Sequence, residues 1–229
     1  PMLTPEERAK AIAGVPAGLD LLNELIDEKR NNPSDDFLST LITAEEDGEK
    51  LSNWEMCALI GAVLGAGSDT AVDLHSYLIR ALLSHPEQLA ELKNDESLIQ
   101  NAISETLRYE SSGKTGLARY ASEDLEILGV SVKKGEMVQL ITSTAGLDPA
   151  AYEDANTFNI HRSHDNSISF GQGPHYCIGV TLVRSQTEVM LKELFTRFPN
   201  LSLSGKMDYD YDHHNARRMT ILEVETNLN

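Results

Sequence analysis

Ten residues late in the chain, Phe170-Gly171-Gln172-Gly173-Pro174-His175-Tyr176-Cys177-Ile178-Gly179, gather three glycines, a proline, a histidine and one of only two cysteines. An apolar, helix-spaced run follows at once. Glycine tolerates φ > 0 and lets backbone come close to a ligand, so this stretch reads as a rigid turn presenting one thiol. A helix beginning near Gly179 sets its free N–H groups and positive end beside the Cys177 sulfur. That setting favours the thiolate, the form that binds metals. One thiolate makes a poor zinc site, because zinc takes three or four protein ligands. It suits an iron whose other positions belong to a porphyrin. The competing reading is a small buried hydrophobe in a glycine-rich loop.

The residues themselves carry a resemblance. The pattern Phe-Gly-x-Gly-x-His-x-Cys-x-Gly over 170–179 resembles the haem-ligand loop of cytochrome P450, the haem-thiolate monooxygenases of bacterial soluble type. The resemblance implies haem b, iron protoporphyrin IX, ligated by the Cys177 thiolate. Phe170, Gly171 and Gly179 would shape the loop against that cofactor, and His175 would hold a haem propionate.

Ser52 is placed to cap the longest helical pattern, which reaches to about Ser84. Ala58, Ala62, Gly65 and Asp69 fall on one of its faces, flanked by Gly61 and Ala66. Small residues in a stripe let something flat lie against the backbone, or let another helix pack closely. Within it, Ala66-Gly67-Ser68-Asp69-Thr70 puts a glycine and an acid–alcohol pair inside a helix, which weakens it. The pentapeptide resembles the oxygen-activation segment of the same family. That implies Ala66 against the haem and Asp69 and Thr70 as the proton-delivery pair. A locally hydrogen-bonded kink is the alternative.

Glu105-Thr106-Leu107-Arg108 places an acid and a base three residues apart, on one face of a helix. Such pairs are common on surfaces. Following the acid–alcohol helix and preceding a cysteine loop, this one resembles the family's core Glu–Arg pair, a structural tie to the segment before the loop. Arg119, in Ala118-Arg119-Tyr120-Ala121-Ser122-Glu123-Asp124, matches the arginine that binds a propionate, a role that its forked guanidinium suits. Its alternative is a charge on a strand edge. Two departures stand out. Gly146-Leu147 occupies the place of an asparagine–arginine pair, and Thr157 that of an arginine that completes a triad on the Glu–Arg pair. Either His161-Arg162 substitutes or the triad is reduced to two.

These residues need a frame. Thr4-Pro5-Glu6-Glu7 is a helix start with a capping box, and that helix should break near Pro16. Helices follow from about Leu19 to Arg30 and from Ser34, then an acidic loop from Glu45 to Lys50. After the long helix, His85-Pro86 opens a short one, and another runs from Glu96 or Ser97 to Tyr109. Short apolar runs split by Gly116, Gly129 and Gly135 then read as strands: Leu117–Tyr120, Leu125–Leu128, Ser131–Val132 and Met137–Ile141. A polar meander covers Asp148 to Arg162. The helix after Cys177, with Arg184 on its first turns, continues to about Phe198, and the tail from Leu201 has strand character. The expected class is mainly α with small β-sheets, a cytochrome P450-like fold lacking its N-terminal part. Residues 1–229 read as one shortened domain: packing helices over 1–50, the long helix and the Glu-x-x-Arg helix over 51–110, the remainder over 111–229.

Nineteen Lys and Arg against 36 Asp and Glu give a net charge of −17 and a pI near 4.7. Such a surface repels nucleic acid and anionic membrane. No run approaches the ~18 apolar residues of a membrane span, and no signal peptide is visible. Two distant cysteines make no disulfide framework, which fits a reducing cytoplasm, and Cys57 reads as inert packing. Proline ahead of methionine at the start reads as a cut end.

The resemblance reaches over essentially the whole chain but matches the family only from about its seventh helix onward. Early strands, early helices and most of the substrate lid are absent, so a haem held by this portion alone would be exposed along one edge. Three readings follow. The first is a monooxygenase that inserts one atom of O2 into a small hydrophobic organic substrate, with electrons from a ferredoxin- or flavodoxin-type donor meeting the surface near the last helix. The second is a haem carrier, sensor or isomerase. The third is a haem-free partner protein derived from the enzyme. A homodimer would cover the exposed apolar face. Gly61, Ala62, Gly116 and Leu117, which would line a substrate pocket, are too small or generic to name the substrate.

Overall fold

The computed structural model describes residues 4–46, 49–113, 116–165, 167–212 and 216–227. Pro1 and the side chain of Glu7, the proposed partner in the first capping box, lie outside them. Two units divide between Asp69 and Thr70.

In the first unit, helix α1 runs unbroken over Pro5–Asn31. The expected break at Pro16 does not occur. Proline costs an internal helix one N–H donor, the one due to the Ile12 carbonyl, and both residues are exposed so water can take its place. Helix α2, Phe37–Thr43, begins later than Ser34 because Asp36 is its cap, its Oδ1 accepting from the Ser39 N–H at 2.8 Å. Lys29 sits against Asp36 at 2.6 Å and, with Ser34, holds that carboxyl far below the ordinary carboxylate range. The acidic loop forms a minimal antiparallel ladder, β1 Glu45–Glu46 on β2 Glu49–Lys50. Ile26, Met56 and Cys57 are the buried centre, wrapped by Leu22, Leu38 and Leu41.

Helix α3, Asn53–Ser84, opens with a capping box, Ser52 N–H donating to Glu55 Oε2 at 2.8 Å and Glu55 N–H to Ser52 Oγ at 3.3 Å. By length and composition this helix could cross a membrane. That corrects the expectation that no stretch approaches a span: glycine, serine and threonine interrupt the apolar run without lowering its mean hydropathy enough to fail.

In the second unit, the latter part of α3 buries Leu74, Leu78, Ala81 and Leu82. Packed in the same core are helix α4 (Pro86–Asn94), helix α5 (Ile99–Tyr109, entered through a 3₁₀ turn at Glu96–Leu98) and helix α7 (Val180–Arg197). Between α5 and α7, β3 (Leu117–Tyr120) pairs antiparallel with β6 (Met137–Leu140), and β4 (Leu125–Ile127) with β5 (Val130–Val132). A single turn, α6, covers Thr142–Ala145. The tail is a hairpin of β7 (Ser202–Asp210) and β8 (Arg218–Glu225), its register shifting between Asp208 and Tyr209. Tyr77 of α3 ties to it by donating to the Arg217 carbonyl. Helices thus dominate and the sheets are small, as expected; among the described residues each is a two-stranded antiparallel pair.

Candidate functional site

The cysteine loop is built by its own backbone. Gly171 has φ +74°, a left-handed conformation costly for any side chain, and a Cβ there would press on the His175 carbonyl at 3.3 Å. Tyr176 N–H closes a 3₁₀ turn over Gly173–His175 by donating to the Gly173 carbonyl at 3.0 Å. Cys177 N–H then donates to the Phe170 carbonyl at 2.9 Å, which pins the two ends of the loop together. Gly179 is the cap residue of α7. Cys177 is therefore half-buried at the positive end of an 18-residue helix.

Among the described residues no group of three or more His, Cys, Asp or Glu could hold a metal ion. The donor set is one sulfur, which suits a porphyrin iron and does not suit zinc. Space is open beside it: Ile178 is 90 % exposed, and a Cβ at Gly179 would meet the sulfur at 3.9 Å. His175 is exposed and its ring has no hydrogen-bond partner among the described residues. The residues present fit the group.

Arg119 lies on β3, opposite Val138, and is exposed. Its guanidinium donates to the neighbouring Ala118 carbonyl at 2.9 Å, and no carboxylate pairs with it among the described residues. Among the described residues no hydrogen bond or ion pair joins it to the cysteine loop.

On α3, residues 61–70 are exposed on every side, and a Cβ at Gly61, Gly65 or Gly67 would meet nothing within 4 Å. The small-residue stripe is thus open, and no second helix packs on it among the described residues. Ser68 Oγ donates back to the Leu64 carbonyl at 2.6 Å, but the helix stays continuous through Ala66, Asp69 and Thr70.

Glu105 and Arg108 are almost wholly buried and meet in a forked pair, Nε to Oε2 at 2.7 Å and Nη2 to Oε1 at 2.8 Å. Arg108 also donates to the carbonyls of Gly146, Ala155 and Thr157, and Glu105 accepts from the Asn159 N–H at 2.7 Å. The pair therefore stitches α5 to the meander. Gly146 lies so near that a Cβ would collide with the Arg108 carbonyl. Arg162 completes a triad, its Nε 3.4 Å from Glu105 Oε1, whereas His161 turns away to Glu91.

Sequence reasoning missed the roles of three residues. His164 is nearly buried, its Nε2 lies 3.6 Å from Glu105 Oε2, and neither ring nitrogen has a hydrogen-bond partner among the described residues. Burial pushes its pKa down, and Arg108, Arg162 and Arg184 reinforce that against the opposing Glu105. No sequence signal distinguishes it. His75 Nε2 meets Thr187 Oγ1 at 3.0 Å. Thr187 spends its single hydrogen on the Val183 carbonyl at 2.6 Å, so His75 must be the donor. Arg184 stacks over the Phe170 ring, 5.2 Å from its centroid. Its place seven residues after Cys177, two helical turns on, was the available clue.

The sequence profile of the family described as Cytochrome P450 matches residues 19–224. An epothilone C/D epoxidase of Sorangium cellulosum is 38% identical over 220 residues, covering 96% of this chain and 52% of the relative. Cytochrome P450 107B1 of Saccharopolyspora erythraea is 38% identical over 204 residues, covering 89% and 50%. Among solved structures, epothilone D-bound cytochrome P450epoK superposes with a TM-score of 0.88 at 37% identity, covering 95% of this chain and 54% of that one. The chain spans about half the length of the curated relatives it matches. On both profile and relatives, this chain belongs to the cytochrome P450 family.

Proposed function

We propose that this chain is the thiolate-bearing part of a monooxygenase that inserts one atom of O2 into a small hydrophobic organic substrate, with electrons from a ferredoxin- or flavodoxin-type donor. Proteins of the family bind haem b through a cysteine thiolate. The observation that carries the reading is the lone Cys177 thiol at the start of α7, in a loop closed by the Phe170 carbonyl. When bound, the haem would supply the centre at which O2 is activated and its atom transferred.

The chain's own residues do the rest. Cys177 is the metal ligand, Gly171 lets the loop turn with positive φ, and Gly179 keeps a Cβ from lying against the sulfur. Arg119 and His175, both exposed and with no carboxylate partner among the described residues, are the hydrogen-bond donors for the propionates. Ala66 leaves the α3 surface low, and Asp69 and Thr70 hold and pass protons as carboxylate and hydroxyl. Glu105, Arg108 and Arg162 keep the meander, and so the start of the loop, in place. We read α3 as an element of the fold and not a span, because its latter part buries Asp73, Leu74 and Leu78 within the second unit. The two free thiols suit a cytoplasmic setting. Residues 1–229 are read as part of a single P450-like domain, and a homodimer would cover its exposed apolar residues. The likeness to an epothilone C/D epoxidase supports a hydrophobic substrate.

The test is a reduced, carbon-monoxide difference spectrum beside a haem-to-protein ratio. A maximum far to the red, as thiolate ligation gives, supports the reading. Haem without that shift would favour a carrier, sensor or isomerase, and a folded chain without haem would sink the oxygenase reading.

A further inference from the structure

We infer that Arg184 is a positioning residue for the Cys177 sulfur and acts through Phe170; the inference rests on the haem-thiolate reading above. The Arg184 guanidinium is held along its edge by α5. Nη1 donates to the Gln100 carbonyl at 3.2 Å and to Gln100 Oε1 at 3.3 Å, and Nη2 to Ser104 Oγ at 2.9 Å. Ser104 is itself braced on the Gln100 carbonyl at 3.1 Å. With its edge committed to α5, the guanidinium carbon lies over the Phe170 ring, 5.2 Å from its centroid.

Phe170 has two ends. Its ring is fixed by Arg184, and its carbonyl accepts the Cys177 N–H at 2.9 Å. Movement of the ring therefore becomes movement of the backbone that carries the sulfur. The arrangement has a cost that a surface arginine would avoid. Arg184 is half-buried, no carboxylate pairs with it among the described residues, and desolvation lowers its pKa. A cation kept there without a counter-charge is retained by the aromatic face and neutral acceptors alone. Lysine could not replace it, because an ammonium is a point charge with neither the fork for α5 nor the plane for the ring.

The experiment follows thiolate ligation in the holoprotein by the reduced carbon-monoxide spectrum over time. Arg184→Lys and Arg184→Gln are expected to lose the far-red form roughly tenfold faster than wild type, the factor that corresponds to losing one partly desolvated cation–π contact. Arg197→Gln, at the exposed far end of α7 and paired with Glu193, is expected to behave as wild type. If Arg184→Gln keeps the wild-type rate and differs only in melting temperature, Arg184 is a packing residue and the inference is overturned. A wild-type chain with no far-red form would refute the haem-thiolate reading separately. The clamp is then read in the apoprotein by a double-mutant cycle of Arg184→Gln with Phe170→Leu: coupled losses retain the clamp, additive losses overturn it.

Discussion

Arg162 reaches the carboxylate of Glu105, 57 residues earlier in the chain, at the same Oε1 that accepts from Arg108 Nη2. Its own fork is held by the carbonyls of Glu153, Asp154 and Thr157. Two guanidinium groups thus converge on one buried carboxylate, and the segment leading to the cysteine loop hangs from them.

Removing the shared anion should be the most damaging change in this network. Glu105→Gln leaves Arg108 buried without a counter-charge, a loss of about 3–5 kcal/mol. Arg162→Ala, which removes the partly exposed partner, should cost roughly 2 kcal/mol. Urea unfolding midpoints measure both, and equal losses would contradict the ranking.

Acid should loosen the same region through His164. Its folded pKa lies below the ordinary 6.5, so the unfolded chain takes up the proton first. The contribution is whole above about pH 6.5 and declines as pH falls toward the folded value. Glu105 alone favours protonation, while Arg108, Arg162 and Arg184 oppose it. His164→Gln should flatten the fall in stability between about pH 7 and 5. His75, whose pKa burial also lowers, adds a slope of the same sign that remains in the variant. An unchanged slope would assign the titration to other groups.

The two cysteines should separate cleanly. Cys177→Ala should abolish the far-red carbon-monoxide form while the chain stays folded. Cys57 is buried against Ile26 and Met56, so Cys57→Ser should keep the spectrum and cost about 1–3 kcal/mol for an added buried hydroxyl. Loss of the far-red form in the Cys57 variant would overturn this assignment.

Proton delivery is tested apart from haem binding. Asp69→Asn and Thr70→Ala should retain the carbon-monoxide spectrum of the parent but lower product formed per electron consumed. A positioned acid or base is worth roughly 10²–10⁴ in rate, so a fall of about 100-fold is expected for Asp69→Asn. Unaltered product yield would leave the pair as a helix feature only.

Short-range order was written in the sequence because neighbours in the chain decide it. Ser52 and Glu55 cap α3 at a spacing of three, Glu105 and Arg108 share a helix face at the same spacing, and glycines delimit β3 to β6. The Phe170–Gly179 loop is likewise a local backbone design, closed by its own hydrogen bonds. The outcome at Pro16 was not legible, since a proline's penalty depends on whether solvent can reach the freed carbonyl. Nor was the choice of Arg162 over His161, the burial of His164, or the face that Arg184 offers to Phe170. Those depend on which helices pack together, and partners many residues apart are selected by the packed core and not by spacing along the chain.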